Sequence, residues 1–139
     1  MLAARTAGPS DFPALVQCDA YARSNDHRQQ MLRLAIAAQT CNVGLVRSEV
    51  VGFFVLDYSF FGNGFIPLIS VATEQQGHGF GLRLLSIAES MCRTRKIFTS
   101  TNASNVRAQR LFTSAGFVPS GSIDNLDSFD SELVYFKAV

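Results

Sequence analysis

The chain has 139 residues, the length of one domain spanning residues 1–139, and a chain of this size buries roughly 70% of its unfolded surface. Apolar residues make up 47% of it and the net charge is +1, so the basic footprint of a nucleic-acid binder is absent and no nucleic-acid partner is expected. Cys18, Cys41 and Cys92 are odd in number and far apart, which argues against a disulfide framework or a zinc site; buried free thiols and no metal are the expectation.

No run approaches the roughly 20 apolar residues of a membrane span, and Met1 to Ala7 lacks the apolar stretch of a signal peptide, so no membrane partner and a cytoplasmic location are expected. Leu2 to Arg5 reads as a short edge strand. Ser10 offers an N-cap oxygen ahead of Asp11, with Phe12, Leu15 and Val16 on one helical face. A second helix is predicted from about Asp26 to Ala38, with Met31, Leu34, Ala35 and Ala38 on one side. The period then changes. Val43 to Val46 and Val50 to Tyr58 are β-branched and aromatic runs joined by Arg47-Ser48-Glu49, a hairpin; the turn Gly62-Asn63-Gly64 leads into Phe65 to Val71. Leu84, Leu85, Ala88, Met91 and Cys92 repeat at helical spacing, Ile97 to Ser100 is a short strand, and Ala108, Leu111, Phe112 and Ala115 mark another helix closed by Gly116. Phe117 to Ile123 and Leu133 to Phe136 read as two strands around an acidic loop. The order describes an α/β fold with a mixed sheet and helices on both faces.

The informative stretch runs from Val71 to Leu82, between a strand and a helix, where unpaired N–H groups and the helix dipole favour an anion. Gly77, Gly79 and Gly81 let the backbone curl so that successive N–H groups point inward. A Walker loop needs Gly-Lys-Ser/Thr, whereas Leu82 and Arg83 follow Gly81. A dinucleotide fingerprint needs glycine three places after Gly79, where Leu82 stands. The stretch also follows an antiparallel meander rather than opening a parallel βαβ unit.

Gln76-x-x-Gly79-x-Gly81 resembles the Gln/Arg-x-x-Gly-x-Gly/Ala signature of the GNAT superfamily of N-acetyltransferases, and Asn105-x-x-Ala108-x-x-Leu111-Phe112-x-x-x-Gly116-Phe117 looks like that family's second conserved block. The resemblance covers nearly the whole chain, being weakest over residues 1 to 45. It implies a GNAT-like, mostly antiparallel central sheet, with acetyl-CoA as co-substrate. The backbone of Val71 and Thr73 would hydrogen-bond the pantetheine arm, and the amides of Gln76, Gly77, His78, Gly79, Phe80, Gly81 and Leu82 would hold the pyrophosphate. Asn105 would contact the pantetheine or phosphate region, and Phe112 belongs to the same cofactor-binding set. Strands corresponding to Phe65 to Val71 and Ile97 to Ser100 would splay to admit the thioester.

The implied reaction is direct attack of a primary amine on the acetyl thioester in a ternary complex, with the oxyanion held by a backbone N–H near Val71. Deprotonating an amine at pH 7 costs about 4–5 kcal/mol, whereas protonating the departing thiolate is downhill, so the base matters more than the acid. Where relatives often carry a glutamate this chain has Phe65 and Ser100, and Phe112 stands where many carry the acidic tyrosine. Tyr58 and Ser100 are the substitute candidates for catalysis, each ordering a proton-relaying water. Glu74 and His78 are poorer bases, expected to face solvent or, for His78, to neighbour a phosphate. Asp124, Asp127, Asp130 and Glu132, with no basic residue among them, form a stretch expected to attract a cationic small-molecule or peptide amine. Phe60, Phe61 and Phe65 are candidates for an acceptor pocket or a dimer contact, homodimers being common in the family. The competing function is a non-catalytic acyl-CoA-binding sensor or interaction module.

Overall fold

The computed structural model describes all 139 residues. In chain order the elements are β1 (Ala3–Thr6), α1 (Phe12–Cys18), α2 (Asp26–Ala37), β2 (Cys41–Val46), β3 (Glu49–Phe60), β4 (Asn63–Val71), α3 (Phe80–Met91), β5 (Lys96–Asn102), α4 (Val106–Ser114), β6 (Val118–Asp127) and β7 (Asp130–Ala138). The seven strands form one sheet in the order β1-β2-β3-β4-β5-β7-β6, antiparallel everywhere except between β4 and β5. This is the mixed α/β fold expected from the sequence. No helix is long and apolar enough to cross a membrane.

The apolar run of β3 shows why two helical layers form. Buried on both faces, it cannot have one side in water. Phe53 joins Leu15, Leu32 and Ile36 of α1 and α2 in one core, while Phe54 and Leu56 join Leu84, Leu85 and Ala88 of α3 and Phe112 of α4 in the other. Gly52 lets β3 and β4 close, since a Cβ there would lie 2.5 Å from the Ser70 carbonyl oxygen.

Several local expectations are corrected. Ser10 caps nothing; Asp11 is buried and its carboxylate accepts from Gly8 N at 2.8 Å and from both terminal nitrogens of Arg5. In α2 the core residues are Leu32 and Ile36, with Leu34 and Ala38 exposed, and the N-cap is Asn25, which accepts from Arg28 N. Phe61 and Gly62 carry the positive φ values of the β3–β4 hairpin (54° and 78°), and Asn63 already belongs to β4. Cys92 lies just past the end of α3. The acidic stretch is strand rather than loop, because β6 runs to Asp127 and β7 restarts at Asp130.

The feature that makes a site is in β4. Between the pairs Val55–Leu68 and Asp57–Phe65, three steps of β4 oppose two of β3, a bulge that contains Pro67. Proline has no N–H to give a ladder, so it sits where the ladder is already broken. The β4–β5 pairing covers only Gly64–Ile66 with Ile97–Thr99. Thr99 Oγ1 closes it with a buried 2.8 Å bond to the Ile66 carbonyl, and beyond that point the strands part.

Candidate functional site

The turn before α3 combines two kinds of glycine. Gly77 and Gly79 have φ of 86° and 78°, which a side chain would strain, and open space where a Cβ would stand. Gly81 lies within α3 without positive φ; a Cβ there would meet Leu111 of α4 at 3.0 Å, so it serves the packing of α3 against α4 rather than the curl of the turn. The N–H groups of Gly77, His78, Gly79, Phe80, Gly81 and Leu82 donate to no protein acceptor. Gln76 is corrected in this respect, since its N–H bonds the Thr73 carbonyl at 3.3 Å and its side-chain Nε2 bonds the Val71 carbonyl at 3.2 Å. Six consecutive free amides at the start of a 12-residue helix make an anion cradle.

This cradle opens on a cavity of about 520 Å³ lined by Ile69 to Val71, the turn, and one side of α4. Arg107 and Arg110 line it and no carboxylate does. The arginines were missed from sequence, although their spacing of three on a helix that follows the Asn105 cap places them together. Ala72 N bonds Val51 O at 2.9 Å, so strand alternation turns the amides of Ile69 and Val71 toward the gap left by β5. Chain, charge and shape thus fit a long ligand with an extended arm and a diphosphate.

Through the gap lies a second cavity of about 720 Å³ on the α1–α2 side, which shares Ile69, Ser70, Asn105 and Ala108 with the first. Its walls include Ser100, Asn102, Asp127, Glu132, Phe112 and the Asp19–Arg28 ion pair (2.6 Å). One group bound on each side would meet where β4 and β5 diverge.

The residues singled out from sequence are distributed unevenly over this site. Ser100 faces the second cavity. Asn105 lines both, its Oδ1 capping α4 through Ala108 N at 3.1 Å and its amide nitrogen left for the cleft. Phe112 does not fit the cofactor-binding expectation: it is 1% exposed, is absent from the lining of the cavity beside the cradle, and belongs to the α3–α4 core, where its ring meets Tyr135 and Phe117. Thr73 begins a 3-10 turn outside either cavity, so the extended edge ends at Val71. His78 is exposed, stacks on Phe80, and places Nδ1 3.1 Å from the Gln75 carbonyl, a bond made by the Nδ1–H tautomer. Glu74 is exposed and lines neither cavity. Tyr58 does not fit the expectation: its Oη accepts from Arg93 N at 3.0 Å and Arg93 covers its ring, beyond the far end of α3 and outside both cavities. Phe60, Phe61 and Phe65 line neither cavity; Phe60 and Phe65 stack on each other and Phe61 is exposed. No cysteine lines the cleft, and burial pushes the thiols of Cys18 and Cys41 up to about 11 and about 12.

A sheet split at its one parallel pair, an anion cradle on one side and a second cavity on the other define the acetyltransferase class of mixed α/β protein. The profile of the Acetyltransferase (GNAT) family matches residues 10–117. A Bacillus cereus acetyltransferase of the GNAT family has a crystal structure that superposes with a TM-score of 0.89 at 32% identity, over 99% of this chain and 97% of that one. The chain belongs to the GNAT acetyltransferase family. The fold is shared with a ribosomal-protein-alanine N-acetyltransferase from Brucella melitensis (TM-score 0.76, 21% identity, 99% of each chain). It is also shared with a Bacillus anthracis protein in complex with acetyl coenzyme A (TM-score 0.66, 22% identity, 71% of this chain and 62% of that one). No curated protein sequence matches the chain.

Proposed function

We propose that the protein transfers acetyl from acetyl-CoA to a primary amine by direct attack, with both substrates bound at once and residues 1–139 acting as one domain. The observation that carries this is the run of six unpartnered amides from Gly77 to Leu82, opening through the β4–β5 split onto a second cavity. In this reading the amides hold the pyrophosphate and Arg107 and Arg110 add charge beside it. The Ile69 and Val71 backbone pairs with the pantetheine arm, and an amide there faces the acetyl oxygen as negative charge develops. The amine nitrogen forms the new C–N bond, the C–S bond breaks, and the proton leaving nitrogen ends on solvent or the thiolate. The reading uses no thiol nucleophile, because none of Cys18, Cys41 and Cys92 lines either cavity. Ser100, a polar side chain that lines the second cavity, orders the water that takes the proton.

A second reading is favoured by one observation: two positions where relatives often carry an acid or base hold phenylalanines, Phe65 stacked on Phe60 and Phe112 in the core. In that reading the protein binds acyl-CoA as a sensor or interaction module without turnover. Two measurements separate them. Calorimetry with CoA tests the cradle, and thiol release from acetyl-CoA with pooled amines tests transfer. Heat with thiol release supports the transferase, heat without release over a broad amine panel supports the module, and no heat removes both.

A further inference from the structure

The two cavities carry opposite charge. The one beside the cradle has two arginines and no acid, as phosphates require. The other has Asp19, Asp127 and Glu132 against Arg28 and His27. Asp19 is already satisfied, by Arg28 and by Tyr21 N, so that pair contributes little net charge. Of the acidic stretch, Asp124 accepts from Ser131 and Asp130 from the Ser104 amide and hydroxyl, and neither lines the cavity. Asp127 and Glu132 remain. Asp127 Oδ2 accepts from Asn102 Nδ2 at 2.9 Å, a neutral partner. Glu132 is paired by its backbone with Asn102, and its carboxylate has neither an ion-pair nor a hydrogen-bond partner.

We propose that the acceptor carries a second cationic group and that Glu132, with Asp127, holds it while the reacting amine sits at the split. This rests on the amine-acetylation reading above. The location separates a cation anchor from a catalytic base. Register puts Val134 opposite Ser100 and Glu132 opposite Asn102, on the same face of the sheet. Two strand residues and one strand spacing place the Glu132 Cα about 8 Å from Ser100. That is the span of a short diamine rather than the reach of a base touching the reacting nitrogen. A carboxylate that lines the cavity without a counter-ion is also free to pair with an ammonium or guanidinium from the substrate.

The test compares cadaverine with n-pentylamine, which differ only in the second ammonium. In acetylation assays kcat/KM should favour cadaverine by about 10-fold, through KM. Glu132→Gln and Asp127→Asn should collapse the preference, Glu132→Asp should retain it, and Glu49→Gln on the exposed β2–β3 hairpin should leave it unaltered. Calorimetry of cadaverine into the CoA-loaded protein should show binding weakened about 10-fold by Glu132→Gln. If that variant does not fold, salt supplies the test on the wild type, where the preference should shrink as ionic strength rises. Equal use of the two amines, or a preference that survives both Glu132→Gln and salt, overturns the proposal and leaves acetylation standing. Glu132-dependent cadaverine binding without acetyl transfer sustains the anchor and removes the transferase.

Discussion

Asp11 illustrates how much a single side chain can organise when it is buried and fully partnered. Hydrogen bonding from Arg5 holds its carboxyl below the usual carboxylate range, with the Gly8 amide adding to the effect and burial opposing it. The bond to Gly8 N fixes the turn that carries β1 into α1, whereas Arg5 is half in water and its Coulomb contribution is small. A group with a depressed folded pKa stabilises the protein above its unfolded pKa, near 4, and loses that contribution as pH falls through the folded value. Asp11→Asn should therefore cost about 1.5–3 kcal/mol in urea unfolding at pH 7. The difference from wild type should shrink below about pH 4 as the native carboxyl takes up its proton. A gap that stays constant down to pH 2.5 would mean that the loss comes from packing rather than charge.

Among the elements, α3 and α4 matter most, because their approach sets the width of the cavity beside the amide cradle. Gly81→Ala would place a Cβ 3.0 Å from Leu111 Cδ1, so the two helices must give by a few tenths of an ångström. Gly79→Ala meets no atom but forces alanine to a φ of 78°, at about 1–2 kcal/mol. We expect both variants to fold. CoA affinity should fall about 10-fold in Gly79→Ala, where the cradle must change its curl, and less in Gly81→Ala, where Leu111 can turn aside. Calorimetry with CoA on both proteins checks the order, and equal affinities would mean that the turn does not hold the ligand. These glycines also show what was legible beforehand. The cradle could be found from sequence because positive φ and helix starts are local chemistry written in adjacent residues. The role of Gly81 is not local, since its partner Leu111 lies on another helix. Pro67 sat in plain view, yet its bulge depends on the register of β3, and so the opening of β4 from β5 came only from the family resemblance. In α2 the 3.6-residue pattern points to Met31 and Leu34, whereas the packed stripe is Leu32 and Ile36; the apolar residues there encircle the helix and only tertiary contact chooses among them. Asp127 and Glu132 are legible in the sequence as charge, but their place in the second cavity depends on the pairing of β7 with β5 and β6.

For the molecule as a whole, the sheet separates a cavity lined by arginines from one lined by carboxylates, and the two share Ile69, Ser70, Asn105 and Ala108, so binding on one side is expected to bear on the stability of both layers. The thiols can report this. Cys18 and Cys41 are buried in the α1–α2 core with pKa values raised to about 11 and about 12, chiefly by desolvation, whereas Cys92 is half-exposed beside Thr94. At pH 8 a thiol-modifying reagent should label Cys92 directly and reach the other two only when the core opens. That core is tied to β4, which lines the cavity beside the cradle, by Ser70 Oγ, which donates to the Cys18 carbonyl at 2.7 Å. If CoA binds the native cradle alone, adding it at about 100 times its Kd stabilises the folded state by about 2.7 kcal/mol. Slow labelling of Cys18 and Cys41 should then fall about 100-fold, with Cys92 unaffected. Protection confined to Cys92, or no change in the two slow thiols while calorimetry shows saturation, would mean that the α1–α2 layer opens independently of the cradle. The two sides of the sheet would then act as separate units, and acceptor binding would have to be measured on its own terms.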